Sequence, residues 1–133
     1  MKKILIIAVA LVALAGAAVY FFVLAPTPEL PPVTFSPGDY FVTNVKDSNR
    51  LLKAAVVLVL DTDKAYKKLP ARLDANVAGV RDTIIFILRE LDEDEIRADG
   101  VEDDLRKRIS AALNTSLETE GVKTVLFSDF VMQ

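Results

Sequence analysis

Four consecutive carboxylates, Asp92-Glu93-Asp94-Glu95, are the residues of this chain best placed to attract an ion. Hard oxygen donors in a short loop are what Ca²⁺ takes. The helix–loop–helix calcium pattern does not fit, however. With Gly100 at the sixth loop position, Arg97 falls at the third and Arg106 at the twelfth, where carboxylates are required. The acidic run reads as a solvated loop whose carboxylates can be exchanged for amides at little cost. Other chemistry lacks its groups. The 133 residues contain no His and no Cys, so the usual general base, thiol nucleophile and transition-metal ligands are missing. No Ser-x-x-Lys pair occurs, and five scattered glycines build no phosphate loop. Paired-carboxylate hydrolysis needs a cleft that a domain this small barely offers. The chain therefore offers no catalytic residues, metal site, cofactor site or small-molecule substrate site, and it reads as a non-enzymatic protein.

Residues 1–3, Met1-Lys2-Lys3, form a short basic N-terminus, and residues 4–25 contain no charge, Pro, Asn or Gln. Twenty-two helical residues rise about 33 Å, enough to cross a hydrocarbon core of about 30 Å. Ala13-Leu14-Ala15 offers a small-x-small cleavage site, but cutting there leaves Tyr20-Phe21-Phe22-Val23-Leu24 bare, so an uncleaved transmembrane anchor is expected. Lys2 and Lys3 precede the span, and no basic residue follows until Lys46. The positive-inside rule places the N-terminus in the cytoplasm and the rest outside. Ala13, Gly16 and Ala17 form a small-residue patch where a neighbouring helix can approach, although such residues are also simply tolerated in apolar spans. No ionisable side chain lies in the span, which therefore carries no protons or ions itself.

Five of the six prolines lie between Pro26 and Pro37. Residues 26–37 read as a semi-rigid Pro-rich spacer able to reach up to ~35 Å. Val33, Thr34 and Phe35 within it are candidate partner contacts, since a stiff segment loses little entropy on docking. A plain tether is the alternative. Residues 38–133 then form one domain of about 96 residues with 14 basic and 18 acidic side chains. That balance excludes a nucleic-acid stripe or a polybasic lipid patch.

The expected class is α+β, ordered strand–strand–helix–helix–strand. Asp39–Lys46 reads as a strand, Asp47-Ser48-Asn49 as a turn, and Leu51–Leu60 as an apolar strand paired with the first as a hairpin and buried on both faces. Asp61 or Asp63 caps a helix from Lys64, with a kink or restart at Pro70. Leu73, Val77, Val80, Ile84, Ile87, Leu88 and Leu91 keep helical spacing. Asp99 and Glu102 suggest a capping box for a helix to about Leu117, with Val101, Leu105, Ile109, Ala112 and Leu113 inward. Val122–Gln133 alternates into two partly apolar faces, Val122/Leu126/Phe130/Met132 and Val125/Phe127/Val131, which suggests an interior strand.

Several segments carry a resemblance: Tyr40-Phe41-Val42-Thr43-Asn44-Val45, Arg50-Leu51-Leu52-Lys53, Val80-Arg81-Asp82-Thr83-Ile84-Ile85 and Leu105-Arg106-Lys107-Arg108-Ile109 with Ala112-Leu113-Asn114. The most specific is the ending, Val122-Lys123-Thr124-Val125-Leu126-Phe127-Ser128-Asp129-Phe130-Val131-Met132-Gln133. With the anchor and spacer before them, these segments resemble the flagellar basal body-associated FliL family over essentially the whole chain. One departure is Glu95-Ile96-Arg97-Ala98-Asp99-Gly100-Val101-Glu102, where many relatives carry Thr or Ser and a Pro-Glu-Gly.

The resemblance implies an extracytoplasmic domain similar to the stomatin/prohibitin (SPFH) domain, on the outer side of the bacterial inner membrane. It implies self-association into a ring, partnership with flagellar stator units, and support of rotation, motility and swarming. It brings no catalytic residues. The rival expectation is a stomatin-like membrane scaffold for another complex.

Overall fold

The computed structural model describes residues 2–25 and 31–133, in two units that divide after Leu30. Met1 and the spacer residues 26–30 lie outside the described residues. In the first unit, α1 runs over Lys2–Val19 and continues as one wider turn through Tyr20–Leu24, closed by the Ala25 amide donating to the Tyr20 carbonyl at 2.7 Å. Lys2–Leu24 is long and apolar enough, by length and composition, to cross a membrane.

The second unit is α+β. Its strands are β1 (Val33–Phe35), β2 (Phe41–Asn44), β3 (Leu51–Leu60) and β4 (Val122–Met132). Its helices are α2 (Leu69–Ala75), α3 (Val77–Arg89), α4 (Glu93–Arg97) and α5 (Val101–Ser116), with a 3₁₀ turn at Lys64–Tyr66. β3 is the central strand of an antiparallel sheet. β1 and β2 pair with one side of it, at Leu58–Leu60 and Leu51–Ala54, and β4 pairs along the other. The β2–β3 hairpin turns where Asp47-Ser48-Asn49 predicts, with Asp47 at φ 54°.

β1 is an addition to the expected order. Val33–Phe35 belong to the sheet rather than to a free spacer, because Phe35 opposite Leu58 adds an aromatic ring to the core. Two bonds also tie the chain just beyond β1 to α3. The Arg81 guanidinium donates to the carbonyls of Pro37 at 2.9 Å and Tyr40 at 3.1 Å, and it stacks over the Phe41 ring. Gly38, at φ 133°, leaves the space that the guanidinium occupies, where any Cβ would collide with it.

The helices lie on one sheet face. Leu52, Ala54, Val56, Leu58 and Leu60 of β3 point into the core, each at most 2% exposed, against Val80, Ile84 and Leu88 of α3 and Leu105, Ile109 and Leu113 of α5. The inward stripes of both long helices match their predicted spacing, except that Val77 is 37% exposed. That residue follows a break at Asn76, whose side chain donates to the Arg72 carbonyl, so one expected helix becomes α2 and α3. Pro70 sits in the first turn of α2, the expected restart, and Asp63 accepts from the Ala65 amide to cap the 3₁₀ turn before it.

Three expectations are corrected. β3 is buried on one face only: Leu51 is 43% exposed, and Val57 and Val59 are half-buried. β4 is an edge strand, not an interior one, since among the described residues it pairs with β3 alone. The box at Asp99 and Glu102 does not form. Gly100, at φ 83°, precedes α5 without a side-chain cap. The box forms instead at Asp92 and Glu95, which open α4 inside the run expected to be a loop.

Candidate interaction surfaces

Three carboxylates of the acidic run, those of Asp92, Glu93 and Glu95, have local partners. Asp92 accepts from the Glu95 amide at 2.8 Å, and Glu95 accepts from the Asp92 amide at 3.0 Å. Glu93 accepts from the Ser48 hydroxyl in the β2–β3 turn and lies 3.7 Å from Arg50 and 3.5 Å from Arg97. The Ser48 hydrogen bond holds its carboxyl below the ordinary Glu range. Partial burial opposes the shift, and Arg50 and Arg97 add to it. The run thus starts a helix and ties it to the hairpin. Among the described residues no three His, Cys, Asp or Glu side chains converge as metal ligands.

A broad open groove lies between the Tyr66–Arg72 segment and the end of α5. Two of its polar side chains have structural work. Arg72 donates to the Leu117 carbonyl, and Asn114 both donates to and accepts from the Val122 backbone at 3.0 Å, fixing α5 to β4. Gly121 lets this junction close, since a Cβ there would stand 2.5 Å from Leu69.

The candidate contacts fall on both units. Ala13, Gly16 and Ala17 are exposed on α1, three and four positions apart and hence on one face, and a Cβ on Gly16 would meet nothing within 4 Å. Val33 and Thr34 are exposed on β1, while Phe35 packs against the core. The first two are therefore accessible, and the third belongs to the fold.

Sequence reasoning missed the surfaces that stand out most. The sheet face away from the helices carries Val42 (53% exposed), Leu51, Leu126 and Val131 in the open. On the opposite side of the domain, Phe86 of α3 is 51% exposed. The signal for the first was the continuous apolar run of β3, which matched a strand covered on both sides although residues 31–133 cover only one. Phe86 was hidden inside the run Ile84–Leu88.

A small α+β domain behind one apolar helix, with apolar surface left uncovered and its polar clusters used in caps and clamps, has the build of a binding or scaffolding module. The family model for flagellar basal body-associated protein FliL matches residues 34–133, from inside β1 to the last residue, and the chain belongs to that family. Two relatives called flagellar protein FliL are similar to it. The one from Aquifex aeolicus (strain VF5) is 27% identical over 93 residues, 70% of this chain and 56% of that protein. The one from Bacillus subtilis (strain 168) is 28% identical over 91 residues, 68% of this chain and 61% of that protein. The matched region thus spans less than two thirds of either relative. The family is a flagellar one and is not known as an enzyme family.

Proposed function

We propose that this protein is a non-enzymatic structural or accessory component of the flagellar basal body that associates with the stator units and supports rotation, motility and swarming. In this reading Lys2–Leu24 is retained as a span of the bacterial inner membrane, the N-terminus is cytoplasmic, and the α+β domain lies outside. The domain is similar to the SPFH domain and associates with copies of itself into a ring. The observation that carries the reading is the family match over 34–133, which takes in nearly all of the sheet and every helix packed on it. The apolar helix, the absence of His and Cys, and the uncovered apolar surface all suit a scaffold.

Val33 and Thr34 remain candidate stator contacts on exposed β1, with Ala13, Gly16 and Ala17 as candidate packing positions in the membrane. Phe35 is left unchanged in the test because it packs into the core. Val33→Ser with Thr34→Gly keeps the length of the segment. Crosslinking to the stator and swarming are expected to fall while differently tagged copies still copurify. Full crosslinking and swarming in that variant would assign the stator contact elsewhere, and no stator crosslink in the unaltered protein would remove the stator partnership itself.

A further inference from the structure

Two apolar surfaces of the domain lack a partner within 31–133, and they face opposite ways. The first is the outer sheet face. Residues opposite one another across β3 and β4 share a face, so Val57 with Leu126 and Lys53 with Val131 line it. Leu126 with Val57 forms one exposed apolar spot there and Val131 a second, on the far side of Asp129. Apolar surface left open in this way is where partners bind.

The second is the outer ridge of α3. Val80, Ile84 and Leu88 define its inward side. At about 100° per residue Phe86 falls opposite them, with its ring pointing away from the sheet. Asp82 stands one turn before it and Arg89 one turn after, with the Arg89 guanidinium 5.4 Å from the ring centre. Gly79 begins the ridge, and a Cβ there would meet nothing within 4 Å. The ridge thus reads small, acid, aromatic, base. An exposed aromatic flanked by charges does little for the fold, whereas aromatic anchors dominate interfaces.

The two surfaces also match in charge. Lys53 and Asp129 face each other at 3.8 Å across β3 and β4, each side chain about one-third exposed. The ridge brings one charge of each sign, Asp82 for Lys53 and Arg89 for Asp129. We propose that the outer sheet face of one copy receives the α3 ridge of a second copy, with Phe86 seated on Val57 and Leu126 and its flanking charges meeting Lys53 and Asp129 beside them. A helix laid on a sheet repeats the packing already used inside the domain. The contact joins unlike surfaces, so each added copy presents a fresh sheet face or ridge, and the array closes as a ring or continues as a filament. A two-fold contact between sheet faces would also pair Lys53 with Asp129, but it leaves Phe86 uncovered and stops at two copies. This inference rests on the self-association proposed above and names its surfaces.

The chain has no cysteine, so introduced thiols report cleanly. In the full-length protein in its native membrane, Ala78→Cys places a thiol beside the ridge and Leu126→Cys places one on the sheet face. With a short bis-maleimide, the double variant is expected to give a ladder beyond dimer, whereas Leu126→Cys alone gives monomer. Phe86→Ala added to the double variant should cut the ladder about tenfold while its melting temperature stays with the parent. Dimers from Leu126→Cys alone would overturn the proposal in favour of the two-fold contact. No ladder, with differently tagged copies still copurifying, would overturn these surfaces and leave self-association standing. No copurification of tagged copies would overturn both.

Discussion

Glu93 and Arg81 each join segments far apart in sequence, Glu93 through a hydroxyl 45 residues away and Arg81 through two carbonyls 44 and 41 residues away. Because the Ser48 hydroxyl lowers the Glu93 pKa in the fold, the ionised form is favoured there. The stability linked to this group is present above the ordinary Glu value of 4.5 and is lost as pH falls through its lowered folded value. Ser48→Ala should therefore narrow the gap between melting temperatures at about pH 6 and about pH 3, as thermal melts followed by circular dichroism will show. Arg81 poses a different question, since its two donors form a planar fork. A lysine has one charged nitrogen and cannot reproduce that geometry. Arg81→Lys should cost about 1–2 kcal/mol in urea unfolding, and Gly38→Ala, which strains φ and displaces the same fork, about as much or more. The Arg81-Asp82 pair was visible in the sequence. Its task was not, because nothing local to α3 points to the carbonyls of Pro37 and Tyr40.

The hairpin, the inward stripes of α3 and α5 and the restart at Pro70 were legible because each depends on spacing within one segment. β4 was not, and the reason is geometric. Its register against β3 shifts twice, between Ala55 and Val56 and between Val59 and Leu60, leaving Ser128 and Lys123 as extra residues. Each bulge reverses the parity of the strand. The inward set is therefore Val122, Val125, Phe127, Phe130 and Met132, which no uninterrupted alternation selects. Phe127 and Phe130 meet edge to face at 5.4 Å as a result. Strict alternation had placed Leu126 beside Phe130, but Leu126 faces out and is 46% exposed. The bulged register predicts unequal costs. Phe130→Ala should lose about 2–3 kcal/mol, below the full core value because the ring is only partly buried, and Leu126→Ala about 0.5 kcal/mol or less. Denaturant midpoints of the two variants will show whether the bulges lie where the pairing puts them. The β1 strand was missed for another reason. Three residues among prolines carry too little pattern to announce a strand.

At the scale of the whole molecule, a basic end, a long apolar helix and a charged domain describe a polarity that the sequence expresses without any fold. Lys2 and Lys3 open the helix, ahead of its uncharged stretch, and the next basic residue is Lys46. Alkaline phosphatase joined after Gln133 should therefore be active in whole cells, whereas a reporter that requires the cytoplasm should be silent there. The opposite pattern would invert the proposed topology. The layers of the domain were half legible. The apolar run of β3 indicated cover on two sides, and the helices account for one of them. The exposed face is a property of how the elements are arranged, so no single segment disclosed it.

The short strand β1 has a mechanical consequence. It joins the sheet through only three residues, paired to the end of β3, while the Arg81 fork grips the chain immediately beyond it. Under tension applied at residue 31, β1 is the part with the least to hold it, and it should peel away before the remainder of the sheet yields. The release is bounded. Freeing residues 33–36 pays out roughly 14 Å of contour, after which the load passes to the bond between Arg81 and Pro37. Stretching the domain between residue 31 and Gln133 in an optical trap should show this small early step ahead of the main rupture. In Arg81→Ala the stop is gone, and the early step should lengthen to roughly 27 Å as residues 37–40 follow. With Arg81 in place, the domain acts on its tether as a spring with a built-in limit, yielding a little under load and then holding firm.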